Sequence, residues 1–253
     1  MLYSTPVQTK DFTFDLNINL SRNVSKVKEL ADGVDYLFFN GDANFPINVG
    51  TRVGHRLGEI YAKNLYKRDE NGNMIVNKQG RPTKVSGEDA FQYTLDHPIG
   101  NIEPDLLMSV SPSFTYKGFT LSALFDMKFG GDIVSVSEAM ATSTGLAART
   151  ANRGNAENGW KIVAPGVTAD GTVNSTAMNA QRYYTSMSGM AEEFVYDASF
   201  IKLKELSLGY SFPKSILKKT PLTSLNVAFV ARNLAYLMKH TPRTSPEGGY
   251  DLS

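Results

Sequence analysis

The chain has no cysteine in 253 residues. That excludes a disulfide framework, a zinc–thiolate site and a thiol nucleophile together. It has no excess of either charge, with 26 Lys+Arg against 25 Asp+Glu. Nothing in that balance makes an electrostatic case for nucleic acid as a main partner. No apolar run approaches the ~18 residues of a membrane-spanning helix. Met1-Leu-Tyr-Ser-Thr-Pro6 shows no basic region followed by an apolar core, so no signal peptide is legible. For an envelope protein, that reads as a chain whose beginning is missing. His55, His97 and His240 have no metal spacing, and no His-Glu-x-x-His occurs. Nor is there a Gly-x-Ser-x-Gly elbow or a phosphate-cradling glycine loop. No catalytic residue, cofactor or metal ligand is assigned; Asp69, Asn71 and Asn73 read as an exposed turn.

Alternation is what the sequence has instead. Phe12, Phe14, Leu16, Ile18 and Leu20 fall on one parity, with Thr13, Asp15, Asn17, Asn19 and Ser21 on the other. Ten residues of this pattern match the ~9–11 of a tilted membrane strand. Residues 106–116 and 119–129 alternate in the same way, and Lys117-Gly118 between them is a two-residue hairpin signal. Leu206, Leu208, Tyr210 and Phe212 give the next strand, ending at Pro213. Ile201 and Leu203 sit on the opposite parity, so a β-bulge near Lys204-Glu205 is expected. Residues 213–221 read as a compact turn with one turn of helix. Leu225, Val227, Phe229 and Ala231 face one way in the last strand. Weaker strands are expected over 34–40 and 53–66.

Residues 130–198 break this rhythm. They are rich in Ala, Ser, Thr, Asn and Gly and carry the single tryptophan, Trp160. A structureless loop in a compact domain rarely exceeds ~12–15 residues, so this excursion needs local structure of its own. Trp160, Tyr183 and Tyr184 are its candidate ligand contacts, because aromatic rings stack on sugar faces. The plainer reading has them pack the loop's own small core or a protein partner. Asp15, Asn17, Asp126, Lys128, Asn226 and Arg232 are expected on the polar face of the strands.

Parity cannot say what the apolar faces meet. In a soluble β-sandwich, such as a carbohydrate-binding module, they meet each other. In an outer-membrane barrel they meet lipid, and the polar faces line a wet interior. Strand length, asymmetric connections and aromatic strand ends favour the barrel. The fold class expected is all-β: at least five antiparallel up-and-down strands of a transmembrane barrel.

The stretches Asp197–Pro213 and Leu225–Leu234 resemble the C-terminal barrel region of the SusC/RagA family of TonB-dependent outer-membrane transporters of the Bacteroidetes. Similar pieces are Phe14–Val27, Gly54–Gly58, Ile99–Asp105, Tyr116–Phe119, Phe129–Asp132 and Pro246–Tyr250, in the family's order. The resemblance implies an outer-membrane location and energised import of glycans or peptides, with no covalent chemistry on the substrate. It implies a SusD-like surface lipoprotein and the TonB-ExbB-ExbD complex as partners, the latter through an N-terminal region. It also implies that residues 1–253 are a C-terminal portion of a large barrel, an arc of about six or seven strands, without plug domain or last strand. Residues 130–198 would then be a long extracellular loop, and the short turns periplasmic.

Overall fold

Alternation becomes pairing in the computed structural model, which describes residues 1–41, 45–218, 220–242 and 244–247. Six strands form one antiparallel sheet: β1 (Leu2–Gln8), β2 (Phe12–Ser21), β3 (Leu106–Tyr116), β4 (Phe119–Phe129), β5 (Phe200–Ser211) and β6 (Asn226–Lys239). Each pairs with its neighbour in chain order, so the sheet is an up-and-down meander with β1 and β6 as its edges. Strands β2 to β6 run 10 to 14 residues, enough to cross a bilayer at a tilt.

Register aligns the parities across the sheet. Phe14 pairs with Phe114, Phe114 with Leu121, Leu121 with Leu208, and Leu208 with Phe229. The rings of Phe14 and Phe114 stack at 4.7 Å. One step along the strands, Thr13, Thr115, Thr120 and Gly209 form a polar row. The apolar rows stay in the open: Phe229 is 74% exposed, Phe119 54% and Leu208 52%. A soluble sandwich buries such a face against a second sheet. The buried hydrophobic clusters, however, draw on residues 45–95 and 134–194, outside the six strands. An uncovered apolar face with a polar reverse is the signature of a lipid-facing wall.

Two local devices hold the register. Lys117 and Gly118 both take positive φ, 47° and 88°, which makes the β3–β4 connection a type I′ turn. In β5, Leu203 pairs with Phe125 and Glu205 with Leu124, so Lys204 is the extra residue of the expected bulge. Leu203 and Leu206 thereby share the apolar face. The turn after β5 contains the expected single helical turn, Lys214–Leu217.

The connections are unequal. Phe12 pairs with Tyr116, Tyr116 with Phe119, and Phe119 with Tyr210, so the aromatic strand ends gather where the connections are short. Ser21 pairs with Leu107, and Lys128 with both Leu107 and Phe200, so both long connections leave the opposite end. The chain divides into a wall unit (Met1–Val24, Pro104–Gly131, Asp197–Pro242) and a second unit holding Ser25–Glu103 and Asp132–Tyr196.

The second unit has the buried core. Ile47, Val49, Ile60, Ala62, Ala139, Tyr183 and Phe194 belong to one cluster. Three helices serve it: α1 (Glu88–Asp96), α2 (Val136–Ser143) and α3 (Ala180–Met187). No helix among the described residues is long and apolar enough to cross a membrane. The strand expected over 34–40 forms as Tyr36–Gly41, in a separate small sheet beside Ile47–Arg52. The 53–66 stretch splits into Glu59–Ala62 and Asn64–Tyr66, because Val53–Gly58 forms a turn with positive φ at Gly54 and Gly58. Residues 248–253, which hold the end of the family-like Pro246 stretch, lie outside the described residues.

Candidate functional site

The polar face of the wall is organised by short contacts. Tyr3 Oη and Thr5 Oγ1 donate to Asp15 Oδ1 at 3.0 and 2.7 Å. Lys204 Nζ donates to Asp126 Oδ2 at 2.7 Å, and Arg232 Nε to Glu205 Oε2 at 2.8 Å. Register places Asp15, Asn17, Asp126, Lys128, Asn226 and Arg232 on this one face, as their parity predicts. Pairs this exposed contribute about 0–1 kcal/mol each to stability. Their consequence is a hydrated, nearly neutral surface. Lys202 differs: it is buried, with Nζ 4.9 Å from the centroid of the Tyr236 ring.

Where β5 and β6 meet the long connections, Ser199, Asp197 and His240 touch. Ser199 Oγ donates to Asp197 Oδ1 at 2.5 Å and accepts from the Gly130 N–H at 2.8 Å. His240 Nδ1 lies 2.5 Å from Asp197 Oδ2. A nucleophilic serine gives its proton to an imidazole. Here the carboxylate takes it, so the trio is a clamp on the strand end. Partial burial works against the Asp197 charge, but hydrogen bonds from Ser199 and His240 outweigh it and hold the carboxyl below the usual range.

In the second unit, Arg149 ties distant segments together. Its guanidinium donates to Glu193 Oε2 at 3.1 Å and to Tyr196 Oη at 2.6 Å, and lies 5.0 Å from the Phe194 ring centroid. Glu138 Oε1 stands 3.9 Å away. Arg149→Met is expected to loosen residues 132–196 by about 2–3 kcal/mol, because charged partners lose their donors. Hydrogen exchange on the parent receptor in detergent reads this directly. Unchanged protection across 132–196 would remove Arg149 from that role.

The three candidate ligand residues separate. Trp160 is half-exposed, with a positive φ of 56°. Tyr183 and Tyr184 are buried, their rings 5.1 Å apart. Tyr184 Oη donates to Arg149 O at 2.9 Å. Burial, reinforced by Glu193, pushes the Tyr183 hydroxyl up to about 12. Burial also raises Tyr184, against the pull of Arg149. Trp160 and Tyr184 line a cleft of about 390 Å³ with Thr142, Thr144, Arg153 and Gln181. A second cleft of about 710 Å³ is lined by Asn77, Gln79, Arg81, Arg182 and Ser186, and shares Asn179 and Gln181 with the first. None of this surface was legible as a site, because its parts come from four separated stretches. The Asp69 loop is a turn, its carboxylate accepting from the N–H groups of Asn71 and Asn73 at 3.0 and 2.8 Å.

No family model matches the chain. Individual relatives do. TonB-dependent receptor P3 of Formosa agariphila is 26% identical over 260 residues, covering 98% of this chain and 24% of that protein. TonB-dependent receptor SusC of Bacteroides thetaiotaomicron is 29% identical over 222 residues, covering 82% of this chain and 19% of that protein. Over most of its length the chain is similar to SusC/RagA-type TonB-dependent receptors. It spans about a quarter of the length of P3 and about a fifth of SusC. Among solved structures, the RagAB peptide importer in its closed-closed state superposes with a TM-score of 0.62 at 19% identity, over 98% of this chain and 26% of that one. The open-open state gives 0.61 at 17%. That likeness concerns the fold, and it matches the six-stranded meander. SusC/RagA-type receptors are outer-membrane proteins and not enzymes, in keeping with a wall whose apolar face is bare.

Proposed function

We propose that this chain supplies part of the barrel wall and the outer loops of a transporter that imports oligosaccharides across the outer membrane. The carrying observation is the six-stranded meander, bare and apolar on one face, ion-paired and polar on the other. Residues 1–253 are proposed as a C-terminal portion of the barrel domain, with 130–198 on the extracellular side and the short turns in the periplasm. Aromatic residues at the short-turn end and long connections at the other support that orientation. The proposed partners are a SusD-like lipoprotein at the surface and TonB-ExbB-ExbD acting through the receptor's N-terminal region. Trp160 is the proposed sugar-stacking ring, with Tyr184 as cleft wall and Tyr183 packed behind it.

Peptide is the competing cargo, since the similar RagAB structures are those of a peptide importer. Deleting the parent receptor's gene is expected to abolish growth on one oligosaccharide class while growth on peptides continues. Loss of growth on peptides alone would reverse the assignment of cargo. Loss of neither would remove the import role.

A further inference from the structure

We infer that the paired clefts of the second unit form a site for an acidic oligosaccharide, one bearing carboxylate or sulfate groups; this rests on the oligosaccharide reading above. Arginines line both clefts: Arg153 in the first, Arg81 and Arg182 in the second. Among the described residues, no aspartate or glutamate lines either. This contrasts with the rest of the chain, whose charges nearly cancel.

Several carboxylates of this unit are paired with other cations. Glu193 and Glu138 face Arg149, Glu192 pairs with Arg68, Asp96 with Arg52, and Glu59 with His55. Among the described residues, none of the three cleft arginines has a carboxylate partner. Their contacts are neutral and weak. Arg153 Nη1 donates to Gly145 O at 3.2 Å, and the Arg81 guanidinium reaches Ser186 Oγ only at 3.4 Å. Guanidinium forks left with such partners keep most of their capacity for a planar or tetrahedral oxyanion.

The remaining lining points to a sugar. Gln79 and Gln181 each offer an amide donor and an amide acceptor, and Asn77 and Asn179, whose Oδ1 atoms accept from the N–H groups of Arg81 and Arg182, offer amide donors. A sugar hydroxyl is likewise both donor and acceptor, so amides match it in either role. Trp160 adds one half-exposed ring at the edge of the first cleft. Asn179 and Gln181 belong to both linings, so an oligomer of several rings can occupy the two clefts as one surface.

Calorimetry on the detergent-solubilised parent receptor tests this with four probes: a galacturonate hexamer, a sulfated galactan hexamer, a neutral glucan hexamer and hexaglutamate. The acidic sugars are expected to bind at least about tenfold more tightly than the neutral one, with binding that weakens as salt rises. Which acidic sugar binds better separates carboxylate from sulfate recognition. Arg153→Gln with Arg182→Gln is expected to weaken acidic-sugar binding by about tenfold or more. Both residues are exposed, so the variant should fold, and an unchanged unfolding temperature verifies it. Equal binding of acidic and neutral sugars overturns the charge inference and leaves the oligosaccharide reading standing. Binding of hexaglutamate alone overturns both. Acidic-sugar binding that survives the double variant overturns the placement at these clefts.

Discussion

Leu206→Arg in the parent receptor is expected to remove most of the correctly assembled barrel, whereas Ser207→Arg, one residue away, leaves assembly near normal. Leu206 lies in the middle row of the wall, paired with Ala123 on one side and Ala231 on the other. Its side chain is on the bare apolar face, and an arginine at the midplane of a lipid-facing barrel surface costs about 2–4 kcal/mol. A stability of about 5–15 kcal/mol does not absorb that without loss of yield. Ser207 faces the other way, between Ser122 and Val230. An arginine there joins a surface that already holds Arg232 and Lys204 with their partners. The heat-modifiable fraction on an unboiled gel, compared in outer-membrane preparations, gives both answers. Equal yields would mean that the two faces have the same surroundings, which a lipid-facing wall with a polar reverse excludes.

A pair of deletions tests the bulge with an effect as large. Lys204 is the one residue of β5 left unpaired against β4 at the register shift. Without it, Leu203, Glu205 and Leu206 still alternate correctly, so deleting Lys204 is expected to preserve the barrel. Its visible cost is the ion pair to Asp126, which is small at this exposure. Deleting Ser207 also removes the extra residue, but it exchanges the faces of Glu205 and Leu206. Leu203 and Leu208 keep Phe125 and Leu121 as partners, while Glu205 takes the place of Leu206 opposite Ala123 and its carboxylate meets lipid. Assembly is expected to fall. A protein in which both deletions assemble equally would not have lipid on that face.

Five of the six wall strands were legible because lipid on one side and water on the other impose a period of two with few exceptions. The same pressure made the bulge legible, since the parity change between Leu203 and Leu206 has no other remedy. Strand β1 was not, because Pro6 and a register shift between Ser4 and Val7 interrupt its short pattern. In the second unit the strands run only two to six residues, too short for a local period to mark them. Helix α1 did carry a signal: Ala90, Phe91, Thr94 and Leu95 are buried at helical spacing. Arg149 could not be found from sequence, because its partners lie 11 to 47 residues away and only the fold collects them. The clefts share that fate, whereas Trp160 stood out merely by being the single tryptophan.

The pairing of Ser21 with Leu107 has a consequence for how such a chain changes over time. The chain leaves the wall after Val24 and rejoins it at Pro104, beside its point of departure. The ladder therefore takes no account of what lies between. Loop-closure entropy grows only with the logarithm of length, so doubling or halving that segment alters closure by about 0.6 kcal/mol. The wall acts as a socket into which binding segments of very different size can be exchanged. Selection on cargo can rewrite residues 25–103 while selection by the membrane keeps the six strands as they are.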